Sequence, residues 1–364
     1  PWTLPSNTAL TVGPKIDYVV VESYNQYTFE PIQVVLAKNL VGKQFSGKYA
    51  KVDDKSELDN FSKGDKKIPF FVAHECKGAD LVDIKYQQLM PFILPNDNPQ
   101  DAFRVIAGDF VTTEDGTGIV HTAPTFGADD ALVAKQASPE IPPLLVKDDN
   151  DNLVPLVDLQ GRFRPEVHDE VYGFANEYVK AEYLSEKEMD KAHKEQQDYM
   201  SNIIPNLKAY LSVDERIALK LKLEDKAFNI EKYAHSYRHC WRTDKPILYY
   251  PLDSWFVKTT DAKDRLIALN KEINWKPEST GTGRFGNWLE NLNDWNLSRS
   301  RYWGIPIPIW RSEDGSEEIC ISSIEQLHNE IEKSVAAGIM KENPYAGFAA
   351  GDFSEENYDK VDLH

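Results

Sequence analysis

Cysteine is scarce: Cys76, Cys240 and Cys320 are the three in 364 residues, odd in number and without paired spacing. That excludes a secreted disulfide framework and leads to the expectation of a reducing, cytoplasmic compartment. Long apolar runs are missing too. The stretch Ile16 to Val21 is broken by Asp17 and falls far short of the roughly 20 residues a spanning helix needs, so no membrane partner is expected. Internal repeats, low-complexity tracts and a signal peptide are absent, and the opening Pro1-Trp2-Thr3-Leu4-Pro5-Ser6-Asn7, without Met, reads as an excised segment. Basic charge is outnumbered. Forty-one Lys and Arg against 59 Asp and Glu leave a net charge of -18, which excludes broad non-specific binding to DNA or RNA and leaves room only for a local basic groove.

Hydrophobic residues at 41% and charged residues at 27% are ordinary globular values, enough for two or three domains with real cores. Between Ile16 and Leu36 the β-branched and aromatic clusters IDYVVVESYN and YTFEPIQVVL predict strands. Gly47 to Lys67, rich in Lys and Asp, predicts a solvated loop with a short helix. Ile68 to Cys76 and Leu81 to Leu94 read as strands again, and Gly108 between two β-rich runs reads as a hairpin turn. From Phe174 to Leu223 helix formers take over, in segments such as EYVKAEYLSEKEMDKAHKEQQDYM. Thr260 to Ile273 predicts an amphipathic helix with Thr260 as its N-cap, and YWGIPIPIW predicts extended chain.

Three motifs invite chemistry. Gly281-Thr282-Gly283-Arg284-Phe285-Gly286 matches the dinucleotide fingerprint letter for letter, yet no strand precedes it and no acidic ribose partner follows in a second strand. His235, His239 and Cys240 have a spacing that could offer zinc three ligands, but no second cluster completes a site, so a packed loop is expected and no metal. No Gly-x-Ser-x-Gly elbow supports acyl-enzyme chemistry. The third motif is the run from Gly116 to Asp130, GTGIVHTAPTFGADD: a glycine-flanked turn, a short strand ending on His121, a Pro-Thr-Phe-Gly loop and two carboxylates. On residue chemistry alone those acids serve a helix N-terminus or a pocket rim equally well.

Taken in order, WTLPSN, GTGIVHTAPTFGADD, SYRHCWRTDKPILYYPLDSWFV and GRFGNWLENLNDWNLSRSRYWGIPIPIW resemble the isoleucyl-tRNA synthetases along essentially the whole chain. The resemblance implies a mixed α and β fold: a β-barrel-like editing domain over 1–235 with a helical insertion near 174–223, a connecting segment 236–260, and a partial α/β (Rossmann) return over 261–364. It implies hydrolysis of the mischarged ester of Val-tRNA(Ile), with the rest of the synthetase chain as a further partner. One methylene in an apolar pocket is worth only about 1–3 kcal/mol, isoleucine against valine in this family being the standing example, so a second, hydrolytic site is needed. Editing implies no cofactor. ATP and Mg²⁺ belong to the family's aminoacylation, and neither a His-Ile-Gly-His nor a Lys-Met-Ser-Lys-Ser type signature occurs among the 364 residues, so they are not expected to bind here.

By motif, Asp130 matches the family's aspartate that holds the substrate α-ammonium, His121 the histidine beside the aminoacyl side chain, and Thr3 a member of a threonine-rich strand whose other threonines are not among these residues. These three are the expected catalytic set. Trp2, Thr122 and Phe126 are expected as pocket walls, and Arg238, Arg242, Arg299 and Arg301 as contacts to tRNA. A non-catalytic tRNA-binding or structural piece of the same enzyme is the alternative.

Overall fold

The computed structural model describes residues 1–232, 236–299, 304–349 and 351–360. It divides into two compact units, Pro1–Pro251 and Leu252–His364.

The first unit begins with a single tight helical turn at Leu4–Ser6, started by Pro5. Strand β1 (Ala9–Val12) follows, then β2 (Asp17–Tyr24) and β3 (Pro31–Ala37), as the β-branched clusters predict. β4 (Tyr49–Lys51) and β5 (Ile68–Lys77) flank the charged loop and its short helix Lys55–Asn60. They form a four-stranded sheet in the order β3-β2-β5-β4, with a register shift at Val20/Val21 in the β2/β5 pairing. β6 (Arg104–Ala107) and β7 (Ile119–Thr122) sandwich β1 in a second, mixed sheet: β6 runs parallel to β1 and β7 antiparallel, opposing Leu10 to His121. The fold is mixed α and β, and no sheet closes into a barrel among the described residues.

Two strand expectations in the first unit differ from what is observed. Gly108 does not turn a hairpin: its N–H goes to the Val12 carbonyl at 2.9 Å and ends the parallel pairing of β6, after which residues 110–113 take no strand. Leu81 to Leu94 is largely irregular, because Asp83 sits at φ 66°, where a strand cannot continue, and sends its carboxylate to the buried Arg104 at 2.6 Å.

The predicted helical region holds two helices, Glu186–Tyr199 and Val213–Leu223, each opened by a capping box, Ser185 with Glu188 and Ser212 with Glu215. They cover a core of Phe163, Phe174, Leu156, Met200 and Ile217 that also takes in Trp2 and Phe126. Each fully buried side chain of this size contributes roughly 1.5–3 kcal/mol by leaving water. A second cluster, centred on Tyr18, Val21, Leu36, Phe45 and Phe70, fills the four-stranded sheet.

In the second unit, β8 (Phe256–Val257) pairs with β9 (Trp295–Asn296) and β10 (Ile309–Arg311) with β11 (Glu318–Cys320). Its helices include Lys263–Glu272 and Ile324–Ala336. Thr260 is not the N-cap of the first; its N–H and hydroxyl both bond to Asp294, and the helix starts three residues later. The strand Ile309–Arg311 is the extended part of the proline-rich segment, whose Tyr302 and Trp303 lie outside the described residues. The fingerprint-like GTGRFG lies across two helical stretches broken at Gly283 (φ -98°, ψ -109°), and a side chain on Gly281 would stand 2.0 Å from the Trp275 ring, so Gly281 serves close packing.

Candidate functional site

His121 occupies the next-to-last position of β7, on the face opposite its neighbour Thr122, as strand alternation requires. Its Nε2 lies 3.2 Å from the Thr3 hydroxyl and its Nδ1 2.8 Å from Asn7 Nδ2. Asn7 Nδ2 also donates to the carbonyls of Ala9, at 2.8 Å, and Thr122, at 3.3 Å, and two carbonyls admit only the NH2 end of an amide. Nδ1 of His121 therefore accepts, and Nε2–H donates to Thr3: the ring is the neutral Nε2–H tautomer. Burial pushes its pKa down to about 4. On its far side, Asn7 Oδ1 accepts from the Tyr86 hydroxyl at 2.6 Å, completing a chain Tyr86, Asn7, His121, Thr3.

Asp130 stands in the first turn of the helix Ala128–Gln136, the helix N-terminal position that its sequence left open. Its Oδ2 accepts from the Ala123 N–H at 2.8 Å, which ties the helix start to the residue two beyond His121. Gly127 permits this: a Cβ there would come within 2.8 Å of the Asp130 carboxyl carbon. Burial raises the Asp130 pKa, the Ala123 N–H works against the rise, and Asp129 adds to it. The carboxylate is half-buried, whereas Asp129 is exposed.

Trp2 and Phe126 are in edge contact, with ring centroids 5.0 Å apart, and both are buried in the first core. Thr122 is fully buried and bonds hydroxyl to hydroxyl with Thr11 at 2.6 Å, so its polar group is engaged between strands. Arg238 and Arg242 are exposed on one turn of chain closed by the His239/Pro246 bridge, Arg242 lying over the exposed Trp241 ring at 4.8 Å. Arg299 belongs to the second unit and spends one guanidinium nitrogen on Asn296 and Ser298. Arg301 and His235 lie outside the described residues. Among the described residues, no three His, Cys, Asp or Glu gather as a metal site.

Sequence reasoning missed Asn7 and Tyr86. Asn7 was visible as the polar residue closing WTLPSN, whereas Tyr86 is 79 residues away and carried no signal.

The arrangement is a chain of polar groups at a strand end, with a half-buried carboxylate bonded to the backbone two residues beyond His121. The model of the tRNA synthetases class I (I, L, M and V) matches residues 48–361, and the chain belongs to that family. It is 56% identical over 369 residues to an isoleucine-tRNA ligase of Bacteroides fragilis, covering 100% of this chain and 31% of that protein. An isoleucine-tRNA ligase of Cytophaga hutchinsonii is 62% identical over 339 residues, 93% of this chain and 29% of that one. A third, from Porphyromonas gingivalis, is 51% identical over 377 residues. The chain thus spans about a third of the length of these relatives.

Proposed function

We propose that this chain carries the editing activity of an isoleucine-tRNA ligase, hydrolysing the ester that joins valine to tRNA(Ile). The observation that carries the reading is the joining of Thr3 and His121 by a hydrogen bond at the end of a strand whose next turn is anchored by Asp130.

Asp130 has one oxygen committed to Ala123 and, among the described residues, no hydrogen bond to the other, which suits it to hold the α-ammonium of the aminoacyl group in a charge-assisted bond. Water attacks the ester carbonyl; the carbon-oxygen bond to the ribose breaks, and the water's proton ends on the ribose oxygen. Thr3, Asp130 and the free hydroxyl of the ribose orient the water and the ester, so positioning supplies most of the rate. His121 acts as a sieve against isoleucine. Two features support this over a base: both ring nitrogens are engaged, and a group titrating near 4 has little affinity for a proton at neutral pH. Trp2 and Phe126 stiffen the wall from within the core.

In this reading the three-stranded and four-stranded sheets of the first unit are parts of a barrel-like editing fold, the second unit is a partial Rossmann return, and the protein works in the cytoplasm. Arg238 and Arg242 are the candidates for RNA phosphate. Because neither ATP signature occurs in the sequence, no step through ATP or Mg²⁺ is derived.

The test is release of valine from Val-tRNA(Ile) and of isoleucine from Ile-tRNA(Ile), with Asp130→Ala as control. Release of valine with isoleucine spared, and loss of at least about 100-fold in the variant, is the expected result. Binding of the tRNA without turnover would replace the enzyme by a tRNA-binding module, and unchanged turnover in Asp130→Ala would remove that residue from the mechanism.

A further inference from the structure

We infer that Tyr86 is a positioning residue, whose hydroxyl holds the Asn7 amide with its NH2 toward His121 and thereby keeps the His121 ring in the Nε2–H form that faces Thr3. The consequence for selectivity rests on the editing reading; the placement itself rests on the hydrogen-bond chain alone.

Tyr86 is built to do this and little else. Its backbone N–H is fixed to the Phe103 carbonyl at 2.8 Å and its ring meets the Phe103 ring edge-on at 6.2 Å, so the hydroxyl arrives from a pinned side chain. The hydroxyl bonds to Asn7 Oδ1 at 2.6 Å, a short contact for an O–H donor. Asn7 is buried, and an amide oxygen left without a donor there is costly. Tyr86 removes that cost only when Oδ1 points away from His121. The same donation polarises the amide and strengthens the bond that Nδ2 makes to His121 Nδ1. If the amide turned, Oδ1 would face the ring, Nδ1 would take the proton, and Nε2 would present a lone pair to the Thr3 hydroxyl in place of its proton. One hydroxyl therefore selects which ring nitrogen carries hydrogen toward the substrate side.

The rival account is that the carbonyls of Ala9 and Thr122 hold the amide unaided. Tyr86→Phe separates the two, since it keeps the ring and its packing on Phe103 and deletes only the donor. The measurement is the pair of ring nitrogen chemical shifts of His121 in the full chain labelled with 15N-histidine, assigned by comparison with His121→Gln. In the unaltered protein a single Nε2–H tautomer is expected; in Tyr86→Phe a mixture with Nδ1–H is expected. An unchanged single tautomer in Tyr86→Phe overturns the proposal. Asn7→Asp gives a second arm: a carboxylate can only accept, so Nδ1 must become protonated, and its remaining unprotonated would show that position 7 does not set the tautomer. In the deacylation assay the preference for valine over isoleucine should fall about fivefold in Tyr86→Phe, the worth of one buried hydrogen bond. If the unaltered chain releases no valine, the editing reading fails by itself, and the nitrogen shifts still decide the role of Tyr86.

Discussion

Arg216 and His121 both lie inside the first unit, and they are satisfied in opposite ways. Arg216 is fully buried and saturated: it pairs with both oxygens of Glu177 and donates to the Tyr172 carbonyl at 2.5 Å, the Tyr199 hydroxyl at 2.9 Å and the Leu211 carbonyl at 3.2 Å. Burial opposes its charge, and Glu177 more than offsets that, so the guanidinium titrates above its ordinary value. His121 is uncharged, with two partners, and the buried hydroxyls of Ser6, Thr8 and Thr125, close to Asn7 and His121 in the chain, have no partner among the described residues. An orphaned buried hydroxyl costs about 1–3 kcal/mol. A cluster in which all three guanidinium nitrogens are bonded holds helices together; one with unpartnered hydroxyls keeps capacity for something that arrives.

The sharpest way to break that contrast is Arg216→Ala. It leaves Glu177 without its cation and the Tyr172 carbonyl without its donor, while the Leu211 carbonyl keeps Gln196, so unfolding in urea should show a loss of about 3–5 kcal/mol. Replacing both partners, Arg216→Met with Glu177→Leu, should recover most of it, and a loss below about 1 kcal/mol in the single variant would show that the saturated cluster is not structural.

Next in size is the pH dependence of His121. Its folded pKa of about 4 lies below the ordinary 6.5, so between these values the unfolded chain binds a proton that the folded chain refuses. Stability from this group is complete above pH 6.5 and is lost as pH falls toward 4, by on the order of 2–3 kcal/mol. Urea midpoints from pH 7 to pH 4 should therefore fall more steeply for the unaltered protein than for His121→Gln; parallel curves would mean the ring is not held neutral.

A smaller effect is expected from Thr11→Val, which removes one half of the 2.6 Å hydroxyl pair but leaves Thr122 its bond to the Val120 carbonyl. About 1 kcal/mol should be lost, with valine release unaffected, because this pair lies on the face turned away from His121. Slowed release would place Thr122 in the pocket after all. The smallest effect belongs to the solvent-facing pair Lys147 and Asp151, 3.3 Å apart with side chains more than half exposed: Asp151→Asn should change stability by under about 0.5 kcal/mol, and a larger change would mean that exposed pairs on this surface are not screened.

Much of this was legible beforehand, for identifiable reasons. β2, β3 and β5 announce themselves by β-branched runs, and the helices Glu186–Tyr199 and Val213–Leu223 by composition and by Ser-x-x-Glu at their starts. Asp130 was ambiguous between cap and site because local sequence records only its neighbours; its bond to Ala123 depends on how the loop folds back. The hairpin expected at Gly108 failed because β6 found a parallel partner in β1, some 95 residues earlier, and distant pairing leaves no local trace.

Sequence alone determined the periodicities, the family motifs and the charge of -18 that confines any RNA contact to a local surface, because these depend on residues adjacent in the chain or on simple totals. Only the tertiary structure decided that Thr122 turns inward to Thr11, that Trp2 and Phe126 lean on one another in the core, and that Tyr86 reaches Asn7. The tautomer of His121 follows from the Asn7 amide that faces its Nδ1. It is set by which atoms stand about 3 Å from two ring nitrogens, and those atoms come from segments 114 and 118 residues distant.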